Sequence, residues 1–579
     1  MKLFNEYWKD YKHLFFLSIF CVAMEAVCDL MIPQIMSRLI DNGVIPGNMK
    51  YVMQTGGVML AITATGAVFA CTRNILSSKV SQKIGSRMRY AMFVKINRLS
   101  ISDAEKFDGG SLITRMTNDI VQITNFTNGI MRFFIKAPIT CIGCIILAAV
   151  IDVNTILIVL SIVLISCTAL GISMKLSYPI YEKVQNALDK INTTIREYLI
   201  GIRLVRAFGR NKYEQKRFEE TNDDLSNITA KAERISAVFS PIASLSVNMG
   251  IAIIIFAGSR LVVSGDMMVG EIVAFVSYMT QILFMLVVVT NILNFFVRTR
   301  ASYRRVSEVL LVSDDKNFAD GQDFVPTDTV CESMVSFHKV SFSYPLATGE
   351  MALQNIDFTI KKRQTLGIIG STGSGKSTLT SLLLRFYDAT KGSIIMDGKP
   401  ISELPAEYLC HIAAIVPQTP MLFSGTIREN ICFGNENASE DEIEAAANAA
   451  EAAEFISASG GFDTYLEQHG TNLSGGQKQR LSIARAIVGH PKLLILDDCT
   501  SALDTITETR VMKNLKKYSE NLTCIIISQR IRSVMGADRI LVLDNGHQVG
   551  YGTHNQLMSS CETYREIYRI QMEGGVVDE

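Results

Sequence analysis

A chain of 579 residues is too long for one hydrophobic core and has to divide into several folding units. Apolar residues make up 48 % of it and charged residues only 19 %, a balance suited to a protein with a large membrane-embedded part. The net charge of +0 provides no overall field for nucleic acid, so no nucleic-acid partner is expected and the placement of charge along the chain carries the information.

The start of the chain carries Lys2, Trp8, Lys9 and Lys12 among Phe4, Tyr7 and Tyr11. That mixture predicts a short helix in the membrane interface rather than a cleavable signal. Apolar stretches of about 20 residues, the length that crosses a bilayer, follow at 14–35, 52–75, 133–150, 156–174, 238–263 and 272–297. Six spans are expected. The loops at 41–49, 151–155 and 264–270 are short and hold no lysine or arginine, whereas residues 77–130 and 175–234 are long and basic. By the positive-inside rule these two regions and the C-terminal half face the cytoplasm, placing the protein in the cytoplasmic membrane. Apolar residues recur at helical spacing through Ile84, Met88 and Ala91, and through Ile191, Ile195 and Ile202, so the helices continue beyond the bilayer. Breaks at 100–110 and 207–213 predict hairpin tips placed to touch a cytoplasmic domain.

Of the 12 cysteines, Cys21, Cys28, Cys71, Cys141, Cys144 and Cys167 lie in apolar stretches, as small core residues do. Cys141 and Cys144 stand one helical turn apart, but no second pair or histidine cluster accompanies them to make a metal site. The soluble half reads as reduced and cytosolic. Residues 313–328 are polar, acidic and rich in turn formers. The expected organisation is therefore a membrane α-helical bundle over 1–305, a linker over 306–330 and an α/β domain over 331–579. Within the last, short strands at 335–342, 356–360, 366–369, 393–396, 412–416, 493–496, 524–527 and 539–543 alternate with helical segments.

The apolar run Leu366-Gly367-Ile368-Ile369 leads into Gly370-Ser371-Thr372-Gly373-Ser374-Gly375-Lys376-Ser377-Thr378. A buried strand thus ends in a glycine-rich turn where backbone N–H groups and a helix N-terminus converge on one point, and that point binds phosphate. Lys376 is expected to reach the β and γ phosphates of ATP, and the Ser377 hydroxyl to ligate Mg²⁺. A second buried strand, Leu493-Leu494-Ile495-Leu496, delivers Asp497 to the same metal and Asp498 beside it. Tyr344 is a candidate platform for adenine. In Leu473-Ser474-Gly475-Gly476-Gln477, a hydroxyl and N–H groups again open a helix toward an anion. One phosphate cannot use both anion sites, which favours two such domains packed head to tail.

The order of the phosphate loop, Gln418, Leu473-Ser474-Gly475-Gly476-Gln477, Asp497-Asp498 and Ser501-Ala502-Leu503-Asp504 resembles an ATP-binding cassette (ABC) domain. With six spans before it, nearly the whole chain resembles a half-transporter of the ABC exporter superfamily, and Gly201-Ile202-Arg203-Leu204-Val205-Arg206-Ala207-Phe208 matches that exporter's second cytoplasmic loop. The resemblance implies that Gln418 touches Mg²⁺ and the attacking water, that the loop ending at Asp504 crosses to the partner domain, and that the tips near Phe107 and Phe208 are coupling helices.

Three positions depart from that pattern. Asp498 replaces the usual glutamate, which sets the carboxylate one methylene short of the hydrolytic water; Gln529 replaces the switch histidine; and Gln468 replaces a glutamate before the signature. A general base contributes about 10²–10⁴-fold only within hydrogen-bonding reach of its proton. Two changes in one catalytic shell beside an intact signature resemble the degenerate-site subunit of heterodimeric bacterial multidrug exporters, whose second half-transporter completes the fast site. A homodimer with two slow sites is the alternative.

Glu25 and Asp29 lie one helical turn apart in the first expected span, where carboxylates are costly and functional by default. They would attract a cationic, small amphipathic substrate, pair internally with a basic or amide residue such as Arg73, or simply stand exposed in a water-filled cavity. Asn291 and Asn294 give the sixth span a polar edge and are the other substrate candidates. ATP-driven export is one functional expectation; a non-transporting ATP-gated regulator is the other, and flux separates them.

Overall fold

The computed structural model describes residues 8–313, 331–345, 350–500, 503–518 and 522–572. The chain forms two compact units: one takes the chain up to Asn97 together with Gly109–Leu311, and the other takes Arg98–Asp108 and the residues from Val312 on.

Among the described residues the first unit is built from the long helical runs Lys9–Val44, Met49–Asn97, Gly109–Ile151, Val153–Ile200, Asn211–Ser264 and Val269–Leu310. One expected span falls on each. Lys9–Val44, Met49–Asn97, Gly109–Ile151 and Ser244–Ser264 are apolar and long enough to cross a membrane, and Val269–Met285 is a shorter apolar stretch. Helices approach closely where side chains are small: a Cβ added to Gly85 would meet Thr124 Oγ1 at 2.4 Å. Leu30, Cys144, Val159, Ile254, Phe275 and Tyr278 share a buried cluster. Among the described residues three turns are π-helical, at Ile40–Val44, Arg115–Asp119 and Ile130–Phe134. Such turns reset the helical phase and mark functional positions in many helices.

The last helix of this unit runs to Leu310, five residues into the expected linker. Arg305 and Ser302 both donate to Asp119, at 2.8 Å for Arg305 Nε and 2.8 Å for the serine hydroxyl. Arg115 donates to the Arg305 carbonyl at 2.6 Å and pairs with Glu308 at 3.3 Å. Val306 and Val309 are buried. These contacts tie the helix to its neighbour, which apolar spacing alone could not disclose. The expected linker residues 314–330 lie outside the described residues, as do residues 1–7 of the expected interfacial helix.

The second unit begins, in chain order, with a short segment from the first hairpin. Ser100 caps the helix Ile101–Glu105 by accepting from the Asp103 N–H at 3.1 Å. The second expected break, at 207–213, stays in the first unit and narrows to residues 208–210, between the helix Ile202–Ala207 and the helix that starts at Asn211, with Gly209 at φ 64°.

Among the described residues twelve strands follow: β1 (Ser333–Phe342), β2 (Leu353–Lys361), β3 (Thr365–Gly370), β4 (Lys391–Met396), β5 (Lys399–Pro400), β6 (Ala413–Val416), β7 (Gly425–Thr426), β8 (Tyr465–Leu466), β9 (Leu493–Asp497), β10 (Thr523–Ile527), β11 (Arg539–Asp544) and β12 (His547–Gly552). Ten form one sheet in the order β5-β4-β1-β2-β12-β11-β3-β10-β9-β6, and β7 pairs with β8. β3, β6, β9, β10 and β11 run parallel, with β3 between β10 and β11. Their near-continuous apolar sequences follow from burial on both faces. Leu494 and Leu496, Cys524 and Ile526, Ile540 and Val542 face one core with Leu481, Ile487 and Val511. Leu493 and Ile495, Ile525 and Ile527, Leu541 and Leu543 face the other with Leu379, Leu382 and Leu383. The period of two divides each strand between the two cores. β12 was missed because its burial is mixed and two of its six residues are glycine.

Candidate nucleotide site

β3 is fully buried and ends at Gly370, where the loop to the helix Lys376–Leu383 begins. Gly370 has no room for a side chain: a Cβ there would meet the Leu543 carbonyl at 2.2 Å. Gly373 and Gly375 take φ 82° and 99°, a region that side chains resist. Space around a Cβ at Gly373 is open to 4 Å, so the loop presents bare backbone outward. Lys376 folds back over it, donating to the carbonyls of Gly370 at 2.9 Å and Ser371 at 2.6 Å, with Ser374 Oγ at 3.4 Å. Burial lowers its pKa, and the carboxylates of Asp498 and Asp497 oppose that shift.

A cavity of about 380 Å³ opens on this loop. Its wall brings together Tyr344, Thr372, Gly373, Gly375, Lys376, Ser377, Thr378, Gln418, Asp497, Asp498 and Gln529, to which Ala352 and Ile527 add apolar surface that went unrecognised in the sequence. Tyr344 donates to or accepts from Thr378 Oγ1 at 3.1 Å and meets Tyr387 edge to face at 5.3 Å. Tyr387 in turn donates to Glu105 at 2.6 Å, tying the segment Arg98–Asp108 of this unit to the aromatic group beside the cavity. Gly370, Ser371 and Ser374 of the same loop are not among the residues that line the cavity.

Asp497 closes β9, and Asp498 follows in a left-handed conformation with φ 44°. Its N–H donates to the Ile527 carbonyl at 2.8 Å, and Ser528 Oγ stands 3.5 Å from Asp498 Oδ1. Burial raises the pKa of both acids; Asp498 raises that of Asp497 further, while Ser528 and Arg530 oppose the shift at Asp498. The donor set fits Mg²⁺ with ATP: a hydroxyl, an amide oxygen and a carboxylate from Ser377, Gln418 and Asp497 are hard oxygen ligands, and the lysine and loop N–H groups suit phosphate. Gln529 lies on the wall through a loop that Gln571 clamps from the C-terminal helix Glu562–Met572: Gln571 donates to the Gln529 carbonyl at 2.8 Å and accepts from the Ile531 N–H at 2.8 Å. Gln571 belongs to no pattern that singled it out beforehand.

The signature residues Ser474, Gly475, Gly476 and Gln477 do not line this cavity. Ser474 caps the helix Gly475–Ile487 in a reciprocal pair: its N–H donates to Gln477 Oε1 at 2.9 Å and its hydroxyl accepts from the Gln477 N–H at 3.4 Å. Asp504 caps the helix Thr505–Tyr518 by accepting from the Thr507 N–H at 3.0 Å, which holds its carboxyl below the usual range. Ser501 and Ala502 lie outside the described residues.

In the helical unit, Glu25 is buried between two cations, with Arg73 at 3.1 Å and Lys136 at 2.6 Å. Lys136 also pairs with Asp29 at 2.8 Å. Both acids are thus ion-paired with cations on neighbouring helical runs. Asn291 and Asn294 fall on a helix, but their side chains lie outside the described residues.

These two halves, a bundle of long apolar helices and a P-loop sheet carrying a nucleotide cavity, define a membrane ATPase. The chain matches the family of the ABC transporter transmembrane region over residues 15–287 and the ABC transporter family over 353–501. It is 37% identical to an uncharacterized ABC transporter ATP-binding protein, YfiB, of Bacillus subtilis over 97% of each chain. It is 35% identical to a probable multidrug resistance ABC transporter ATP-binding/permease protein, YheI, of Bacillus subtilis over 81% of each. The structure of a bacterial Atm1-family ABC exporter with ATP bound superposes with a TM-score of 0.80 at 25% identity, covering 97% of this chain and 98% of that one. The chain belongs to the ABC transporter family, as an exporter-type half-transporter with its membrane domain fused to its ATPase domain.

Proposed function

We propose that the chain exports amphipathic or hydrophobic small molecules across the cytoplasmic membrane by alternating access, as the degenerate-site subunit of a heterodimer. ATP would close two ATPase domains head to tail, and the six crossings would turn their cavity outward; hydrolysis would reset it. The observation that carries the reading is the meeting of Asp498 and Gln529 on one cavity wall with Lys376 and Asp497. Asp498 is a methylene shorter than the expected base, and Gln529 cannot carry charge. Its own cavity thus holds nucleotide with little capacity to split it, whereas the capped signature helix from Ser474 is built to serve the partner's nucleotide. The multidrug name of one relative supports the amphipathic cargo.

Steady-state ATPase activity in lipid, of the chain alone and with a second half-transporter carrying the glutamate and histidine, tests this. Weak activity alone and strong activity in a one-to-one complex is the expected result. Strong activity of the chain alone would replace the heterodimer with a homodimer in which Asp498 suffices.

A further inference from the structure

Among the described residues, the charges grouped around Glu25 do not balance. Glu25 and Asp29 are matched by Arg73 and Lys136, and Arg132 is left over. Arg132 lies on the π-helical turn Ile130–Phe134 and spends its guanidinium on a neutral acceptor, the amide oxygen of Asn74, which takes Nε at 2.8 Å and Nη2 as well. Arg73 donates to the same amide oxygen at 3.2 Å and to the Arg132 carbonyl at 3.3 Å. Two guanidinium groups thus share one amide, with no carboxylate between them.

Arg132 and Asn74 line an open cavity of about 600 Å³ whose other polar walls are Ser78, Lys79, Gln82 and Asn128. Lys79 is exposed there, and among the described residues no carboxylate pairs with it. The Asn128 amide oxygen is buried without a hydrogen-bond partner. Both surplus cations therefore face one cavity, which holds no acidic side chain. Lys79 lies just past the second apolar stretch, at the depth where a membrane gives way to its anionic headgroups. Its neighbour Ile75 is 68% exposed, which offers apolar surface beside the charge.

We infer that this cavity binds the anionic head of an amphipathic molecule, a phosphate or comparable oxyanion on an acyl chain, through Arg132 and Lys79. A guanidinium fork suits such an oxyanion, and the lysine adds a mobile point charge. The inference deepens the exporter reading by assigning a charge class to its cargo, and reverses the cationic preference that Glu25 and Asp29 suggest in the sequence. Binding itself does not depend on that reading.

Calorimetry on the full chain in an uncharged detergent, with dodecyl phosphate, dodecyltrimethylammonium and inorganic phosphate as probes, tests it. Dodecyl phosphate should bind, the cation should not, and inorganic phosphate should compete only weakly. Lys79→Glu, on an exposed side chain, should weaken dodecyl phosphate binding at least tenfold with basal ATPase unchanged. Arg132→Gln should weaken it similarly, and Arg132→Lys should restore part of it. Equal binding by Lys79→Glu and the native chain, or tighter binding of the cation, overturns the site. Inorganic phosphate competing as well as dodecyl phosphate also overturns it, in favour of a free-anion site. ATP-driven movement in vesicles is measured separately: its absence for every amphiphile, with dodecyl phosphate binding intact, removes the exporter reading and leaves the site.

Discussion

The side-chain amide of Gln571 donates to the backbone carbonyl of Gln529 at 2.8 Å, and its oxygen accepts from the Ile531 N–H at 2.8 Å. The last described helix thereby fixes the loop that places Gln529 on the nucleotide cavity.

Replacing Gln571 by Ala should free that loop without unfolding the domain. Each hydrogen bond contributes about 1 kcal/mol net. Exchange of the Ile531 amide hydrogen should accelerate by about five- to tenfold, with Lys376–Leu383 unaffected. Unchanged exchange at Ile531 would mean the clamp is not formed in solution.

Asp498→Glu combined with Gln529→His should raise ATP turnover in this chain's own cavity by about 10²-fold or more, as expected for a restored general base. Single-turnover hydrolysis by the chain, with the site of any co-expressed half-transporter disabled, isolates the effect. No gain would place the deficit elsewhere than these two side chains.

Burial lifts the Asp497 and Asp498 carboxyls above their unfolded pKa, about 4, so the folded state holds these protons more tightly than the unfolded chain. Without nucleotide, the domain should gain stability as pH falls from the raised values toward about 4. Mg²⁺ requires the carboxylate, so MgATP affinity should weaken over the same window, with proton uptake when the complex dissociates. Thermal unfolding and MgATP titration between about pH 4 and 8 should therefore trend in opposite directions, and Asp497→Asn should flatten most of the binding trend.

Glu25→Gln removes the carboxylate that, among the described residues, touches both Arg73 and Lys136. Breaking a buried pair from one side costs about 3–5 kcal/mol. Thermal unfolding in detergent should show a large loss, and a double change with Arg73→Met should recover part of it. A substrate-selective loss of transport with unaltered unfolding would instead make Glu25 a contact for cargo.

Much of the ATPase domain is legible in the sequence because its chemistry is local. A phosphate loop requires Gly373 and Gly375 for their positive φ and Lys376 at a fixed offset, while β9 and β10 require continuous apolar residues because both faces are buried. The membrane-length apolar runs, the long basic stretches between them and the shortened acid at Asp498 are equally properties of the chain itself. Tertiary structure decided what depends on partners distant in sequence. Asp119, Ser302 and Arg305 meet across about 180 positions and extend the last helix past its apolar pattern. Arg73 and Lys136 neutralise Glu25 from two other helical runs, so the sign of charge left on the cavity beside Arg132 could not be read from the first span. Periodicity reports which face of an element is buried. The charge, hydrogen bond or carbonyl waiting against that face depends on packing, and only the folded chain supplies it.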